Sequence, residues 1–219
     1  MKRKTLALLA GALMLSSTAL FAQKSSAILK GGVNFANISN NDDGGYDDNR
    51  MLTSFHVGVL ADLNLTEFLA LQPGLLYTGK GIKLENDAQE VTFSPRYLEL
   101  PVNLVFKTPT GNAKFFVGAG PYVAMGIGGK FKGEGIIDFE EDIRFSDDDP
   151  LTPEEEGAGA FRVRRFDYGL NGIIGIEASN LVISAGYGLG LAKIQSGSDS
   201  NDDQNNKHRV FNLSLGFKF

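Results

Sequence analysis

The side chains that could carry chemistry are few. The chain holds two histidines, His56 and His208, and no cysteine, so thiolate nucleophiles, thiolate metal sites and disulfides are excluded. A serine hydrolase needs a hydroxyl within hydrogen-bond reach of an imidazole. Ser54 sits two residues from His56, on the same side of an extended chain, whereas His208 adjoins Arg209 and has no serine at that spacing. A Ser–His pair at spacing two is a weak signal, and no phosphate-cradling glycine loop accompanies it. Neither an enzyme nor a cofactor is expected.

The remaining polar residues fall into two groups. Lys30, Asn34, His56, Asp62, Glu99, Asn103, Lys107, Arg165, Asp167, Asn171 and Glu177 are interspersed among apolar residues and share one alternating parity. If that parity faces an enclosed interior, these groups must pair, because a buried charge persists only with a partner. Glu99 with Arg165 or Lys30 is the expected centre of such a network. A proton or ion path through it is the sharper alternative. The second group is acidic and lies between the alternating segments. Asp42, Asp43, Asp147, Asp148 and Asp149 are candidates for weak Ca²⁺ or Mg²⁺ binding, including ions that bridge lipopolysaccharide. No segment has the ligand spacing of an EF-hand loop, so solvated loops are the plainer reading.

The elements that position these residues are strands. Period-two alternation recurs eight times, near 26–38, 52–64, 68–82, 92–107, 114–128, 161–177, 181–194 and 208–219, and no helical period is sustained. Short connections (65–67, 108–113, 178–180) alternate strictly with long ones (39–50, 83–90, 129–160, 195–207), which is the layout of short periplasmic turns and long outer loops. Leu181, Ile183, Ala185, Tyr187, Leu189 and Leu191 oppose Val182, Ser184, Gly186, Gly188, Gly190 and Ala192. Small inward groups suit a narrow membrane barrel, and an apolar outward face suits lipid. The expected fold is all-β: an eight-stranded antiparallel up-and-down transmembrane β-barrel with four long outer loops and short periplasmic turns. A ten-stranded variant remains open if 129–160 adds two short strands, and so does a soluble periplasmic ligand-binding barrel of inverted parity. Pro73, Pro101 and Pro121 are expected to cost a ladder hydrogen bond or a bend without ending their strands.

Residues 1–22 read as a cleaved signal peptide of the Sec pathway: basic Lys2, Arg3 and Lys4, an apolar run from Leu6 to Leu15, and a small-residue exit at Ala22. The barrel domain is then 23–219. The formal charge of −5 becomes more negative once those three basic residues are lost, so nucleic acid is not an expected partner. Outer-membrane lipid is, together with the outer-membrane assembly machinery, which would read the terminal strand ending at Phe219.

The segments RYLELPVNLVFK (96–107), FFVGAGPYVAMGIGGKFK (115–132), RFDYGLNGIIGIE (165–177) and LVISAGYGLGLAKI (181–194) resemble the PorT-like outer-membrane β-barrel family across essentially the whole mature chain. Tyr97-Leu98-Glu99-Leu100-Pro101 is the most specific piece. The resemblance implies a small barrel of about eight strands without a catalytic motif. The family's namesake is linked to protein secretion. The function expected is therefore a non-enzymatic outer-membrane barrel with a side-chain-filled lumen, whose acidic loops meet a partner, matrix or divalent ion, or which serves envelope assembly. A small-bore porin or transporter, or a secretion-associated barrel, is the alternative.

Overall fold

The computed structural model describes residues 25–39, 48–85, 89–108, 113–135, 138–145, 162–194 and 206–219. Its strands are β1 (Ser25–Ser39), β2 (Asp48–Arg50), β3 (Leu52–Asn64), β4 (Leu69–Gly79), β5 (Ile82–Glu85), β6 (Gln89–Lys107), β7 (Ala113–Gly135), β8 (Phe139–Asp142), β9 (Arg144–Phe145), β10 (Arg162–Val163), β11 (Phe166–Ala178), β12 (Leu181–Gly190) and β13 (Lys207–Lys218). Eight of them close a ring. Around it run β1, β3, β4, β6, β7, β11, β12 and β13, and β13 returns to pair with β1. All eight pairings are antiparallel, and every consecutive pair in the chain is also a pair in space. Such an up-and-down order needs only hairpins.

The short strands belong to the long-loop end. There β5 extends the β4–β6 hairpin, with Ile82 opposite Phe93, and β8 folds back on the far part of β7. Two expectations need correction. The stretch 83–90, expected as a loop, is mostly paired strand, and β7 runs to Gly135 and not to 128. In both places the apolar alternation weakens while pairing persists, because strands above the membrane no longer need an apolar face. Gly81, at φ 132°, supplies the backbone turn between β4 and β5 that a residue with a Cβ resists. The region 129–160 contributes β8 and β9 outside the ring, so the barrel has eight strands and not ten.

The ladder lapses beside each proline. Pairing between β4 and β6 breaks off after Pro73–Val102 and resumes at Leu76–Glu99. Between β6 and β7 it breaks off after Pro101–Tyr122 and resumes at Leu104–Ala119, next to Pro121. The strands continue through all three, as a missing donor without a clash would allow.

Parity divides the side chains cleanly. Ile174 is 62% exposed and Leu215 57%, while Ala36 and Val105, on the opposite parity, are fully buried. A water-soluble barrel has the reverse arrangement, which rules out the inverted-parity alternative. The outward face also carries two aromatic levels. Phe35 stacks on Phe211 and Phe55 packs at a tilt against Tyr77 towards the long-loop end, and Phe68 packs at a tilt against Phe106 at the short-turn end. These are the girdles of a barrel that crosses a bilayer. Leu213 lies between them, opposite Val33 and Ala185. Replacing Leu213 by Arg places a charge in hydrocarbon at a cost of ~2–4 kcal/mol. The variant should show reduced heat-modifiable, folded migration on gels after refolding into phosphocholine vesicles, whereas Leu213→Val should keep it.

The lumen as candidate functional site

Among the described residues, the enclosed interior is where the strands bring polar side chains together from all sides. It is organised in layers along the barrel axis. Nearest the short turns, Lys107 ends β6 and Lys218 ends β13, and both ammonium groups face Asp62 of β3 and Glu177 of β11. Lys107 lies 2.6 Å from Asp62 and 3.4 Å from Glu177; Lys218 lies 2.7 and 2.6 Å from the same two carboxylates. Gln72 of β4 donates a further hydrogen bond to Asp62 at 2.9 Å. Two cations and two carboxylates thus neutralise one another in a plane that spans the barrel.

Above this plane Ile28, Leu60, Leu76, Val105, Phe116 and Val182 pack into an apolar disc, with Ile173 against it. A second polar layer follows. Asn34 donates through Nδ2 to Thr78 Oγ1 and to the Gly79 carbonyl, both at 2.9 Å. Its Oδ1 is therefore the acceptor for His56 Nδ1 at 2.7 Å, which leaves His56 Nε2 to accept from Ser214 Oγ at 2.9 Å. The order of acyl-transfer relays, hydroxyl to imidazole to amide, is present. The approach it would need is not. Ser214 is 6% exposed, and the adjacent cavity, about 50 Å³, is lined by Asn34 and His56 but not by Ser214. The chain of bonds ties β1, β3, β4 and β13 together. The serine that His56 meets is Ser214 of β13, reached across Gly32 of the intervening β1, while Ser54 bonds the Gly79 carbonyl instead.

The third polar layer centres on Lys80. Its ammonium lies 2.8 Å from Glu99 and 2.8 Å from Asp167 and sits over the Tyr122 ring, 4.2 Å from the centroid. Tyr122 donates to Asp167 at 3.2 Å, and the Tyr97 hydroxyl meets His208 Nε2 at 3.3 Å. Lys80 is not among the residues that the sequence singles out. The alternation through Leu76 and Thr78 points it inward, but TGKG reads locally as the frayed end of a strand. The expected partners of Glu99 take other places. Arg165 is exposed at the long-loop end, where Nη2 reaches the Phe145 carbonyl at 3.4 Å. Lys30 borders the 50 Å³ cavity with Asn103 and Asn171 and makes no ion pair within 4 Å among the described residues. Lys30, Asn34, Asn103, Asp167, Asn171 and Glu177 all face the lumen, split between these layers.

An apolar plug closes the long-loop end. Ile82, Phe93, Ile143 and Val163 form its centre, backed by Ile38, Leu84, Phe131, Phe145 and Ile194. The Phe145 ring occupies the space over Gly126, where a Cβ would come within 2.2 Å of it. The apolar Phe139, Ile143 and Phe145 of GIIDFEEDIRF would be exposed in an open loop, which by itself suggests a local hairpin. What the sequence does not show is that Ile143 and Phe145 turn back into the barrel mouth. On the hairpin's exposed side Lys130 and Lys132 both bond Glu140. The bond from Lys130, and then that from Lys132, holds the Glu140 carboxyl down at about 2. Of the acidic candidates, Asp42, Asp43, Asp147, Asp148 and Asp149 fall outside the described residues.

Removing one member of a buried charge cluster strands the others. Lys80→Met should cost roughly 3–5 kcal/mol in denaturant unfolding followed by circular dichroism. The triple variant Lys80→Met/Glu99→Gln/Asp167→Asn should regain a large part of that loss, since no unpaired charge remains. Additive losses would contradict the layer's role as a single neutralised unit.

No curated protein matches the chain. Solved structures with low likeness include Ail of Yersinia pestis in complex with the heparin analogue sucrose octasulfate, at 16% identity and a TM-score of 0.44 over 90% of this chain and 100% of that one. Neisserial surface protein A has 13% identity and a TM-score of 0.45 over 90% and 98%. OprG of Pseudomonas aeruginosa has 11% and 0.46 over 89% and 95%. Likenesses this distant carry no argument about function. The sequence family described as outer membrane protein beta-barrel domain matches residues 21–196. With that match over most of its length, the chain belongs to the outer membrane protein beta-barrel domain family and is a protein of the cell outer membrane.

Proposed function

We propose that this protein is a non-conducting, non-enzymatic barrel that presents its acidic long loops at the cell surface for contact with a partner, matrix or divalent ions. The observation that carries the reading is the sealed lumen. Two ion-paired layers, an apolar disc and an apolar plug succeed one another along the axis. Two cavities lined by described residues between these layers, about 50 and 20 Å³, have room for a few water molecules. A hydrated ion crossing this interior would have to break buried charge pairs and wet two apolar layers. Burial of Ser214 speaks against hydrolysis in the same way. What the fold leaves available for recognition is the long-loop end. Export would use the signal peptide at 1–22, and assembly would use the terminal strand ending at Phe219.

Two measurements on the full-length protein test this. In planar bilayers the reconstituted barrel should give no conductance above background; steps that scale with its concentration would replace this reading with that of a small-bore pore. An epitope inserted at Asp148 should be cut by protease added to intact cells. Cleavage only after the envelope is opened would place the long loops inside and remove the surface-contact role.

A further inference from the structure

The outward face changes character abruptly at the long-loop end. At the long-loop end of each ring strand the outward apolar run gives way to a first non-lipid position, on the strand or just beyond its end. These positions are Asn37 after Phe35, Thr53 before Phe55, Gly79 after Tyr77, Arg96 before Leu98, Gly128 opposite Arg96 across the bulge in the β6–β7 ladder, Arg164 before Phe166, Lys193 after Leu191 and Arg209 before Phe211. Four of the eight are basic and none is acidic, in a chain whose acidic residues outnumber its basic ones by 26 to 21. Chance composition does not favour that set. At the short-turn end the outward residues at the strand ends are Ala27, Leu65, Glu67, Thr108, Ala113, Ala178, Ser179 and Phe219, of which Leu65 and Phe219 are still apolar and exposed. None of these is basic. The asymmetry belongs to one rim only, just beyond the aromatic level of Phe35, Phe211, Phe55 and Tyr77.

Three of the four cations lie at the long-loop ends of consecutive strands: Arg164 two residues before β11, Lys193 three residues after β12, and Arg209 within β13. β11, β12 and β13 are neighbours, and the Arg164 amide donates to the Ile194 carbonyl at 2.9 Å, which joins the segments that carry Arg164 and Lys193. Arg209 is held in place. Its Nη1 donates to the carbonyls of Gly190 at 2.9 Å and His208 at 3.0 Å, while Nε and Nη2 make no hydrogen bond to a described residue. A guanidinium anchored along one edge presents the other as a fixed fork, the geometry that suits a phosphate. Arg96 is exposed on the β6 side of the ring.

We propose that Arg164, Lys193 and Arg209, with Arg96 across the ring, form a basic collar that binds the phosphate groups of lipid headgroups in the outer leaflet. The depth fits: long cationic side chains directly above an aromatic girdle reach the headgroup layer while their stems stay along the apolar wall. The charge fits as well, because a basic patch gains affinity for an anionic membrane surface residue by residue. The collar rests on the long loops facing outward, as proposed above, and it gives the barrel a means of fixing its depth and gathering phosphorylated lipid around β11–β13.

The test uses the full mature chain refolded into phosphatidylcholine nanodiscs doped with either phosphorylated or dephosphorylated lipid A, with co-purifying lipid quantified after detergent exchange. The wild type should retain the phosphorylated form preferentially. R96Q/R164Q/K193Q/R209Q should lose that preference, by roughly fivefold for each neutralised cation, and a variant with Lys at all three Arg positions should keep most of it. K83Q/K114Q/K130Q/K132Q, which removes as many charges elsewhere, should behave as wild type. Equal retention by the collar variant, or displacement of the lipid by excess inorganic phosphate, would overturn the proposal, the second by pointing to a site for the free ion. If the collar variant fails to refold, R209Q alone should still show the loss for one cation. Failure of the wild type to insert into phosphatidylcholine would instead count against the membrane orientation itself.

Discussion

In hydrocarbon an amide has no water to bond, so a sheet that enters a membrane must have no edge. The seam between β1 and β13 meets that condition. Phe219 and Ala27 exchange both backbone hydrogen bonds at 2.9 Å, and the ladder runs from Ile28–Lys218 up to Ser39–Lys207 without a lapse. The last residue of the chain is thus a structural partner of the first strand. The apolar side chain of Phe219 is exposed on the outer face of the wall, as the lipid side requires.

Closure with eight strands fixes the interior. The ring is wide enough for side chains and little else, so whatever faces inward is removed from water. The chain answers with neutralisation. Lys30, Lys80, Lys107 and Lys218 stand against Asp62, Glu99, Asp167 and Glu177, four charges of each sign on the lumen face. An apolar disc of Ile, Leu, Val and Phe separates the two charged planes, and a second apolar cluster closes the long-loop end. A buried ion pair adds little net stability compared with apolar packing of the same volume. These networks are better understood as the condition under which a narrow polar lumen is tolerated at all, with bonds between strands that share no ladder, such as Lys107 of β6 to Glu177 of β11, fixing which strand meets which.

Much of this was legible because a strand's two faces are written at spacing two. The outward series Leu181 to Leu191 and the terminal Phe211 to Phe219 specify lipid on one side, and the same count that points them outward points Asn34, Asp62, Glu99 and Glu177 inward. Legibility ends where distance along the chain exceeds a hairpin. Parity says that Glu99 faces the lumen but not that Lys80 meets it, since the angular position around the ring depends on strand stagger, which no local pattern encodes. Arg165 illustrates the other limit. It carries the inward parity of β11, yet it sits one residue before the strand begins, where the backbone bends and parity no longer applies. The plug was hidden for a related reason: Ile143 and Phe145 announce burial, but nothing nearby says that the buried site is the barrel's own mouth.

The seam is the feature on which every other layer depends, and the absence of cysteine makes it directly measurable. Val33 of β1 and Leu213 of β13 are opposite one another on the lipid face. Cysteines at these two positions should form a disulfide on mild oxidation of the refolded protein, seen as a shift on non-reducing gels that reductant reverses, with folded migration retained. A pair at Ile174 and Ala185, opposite within one hairpin, is the positive control. Cross-linking at the hairpin but not at Val33 and Leu213 would mean that the sheet is open between its first and last strands, and the closed, lipid-embedded barrel would be contradicted.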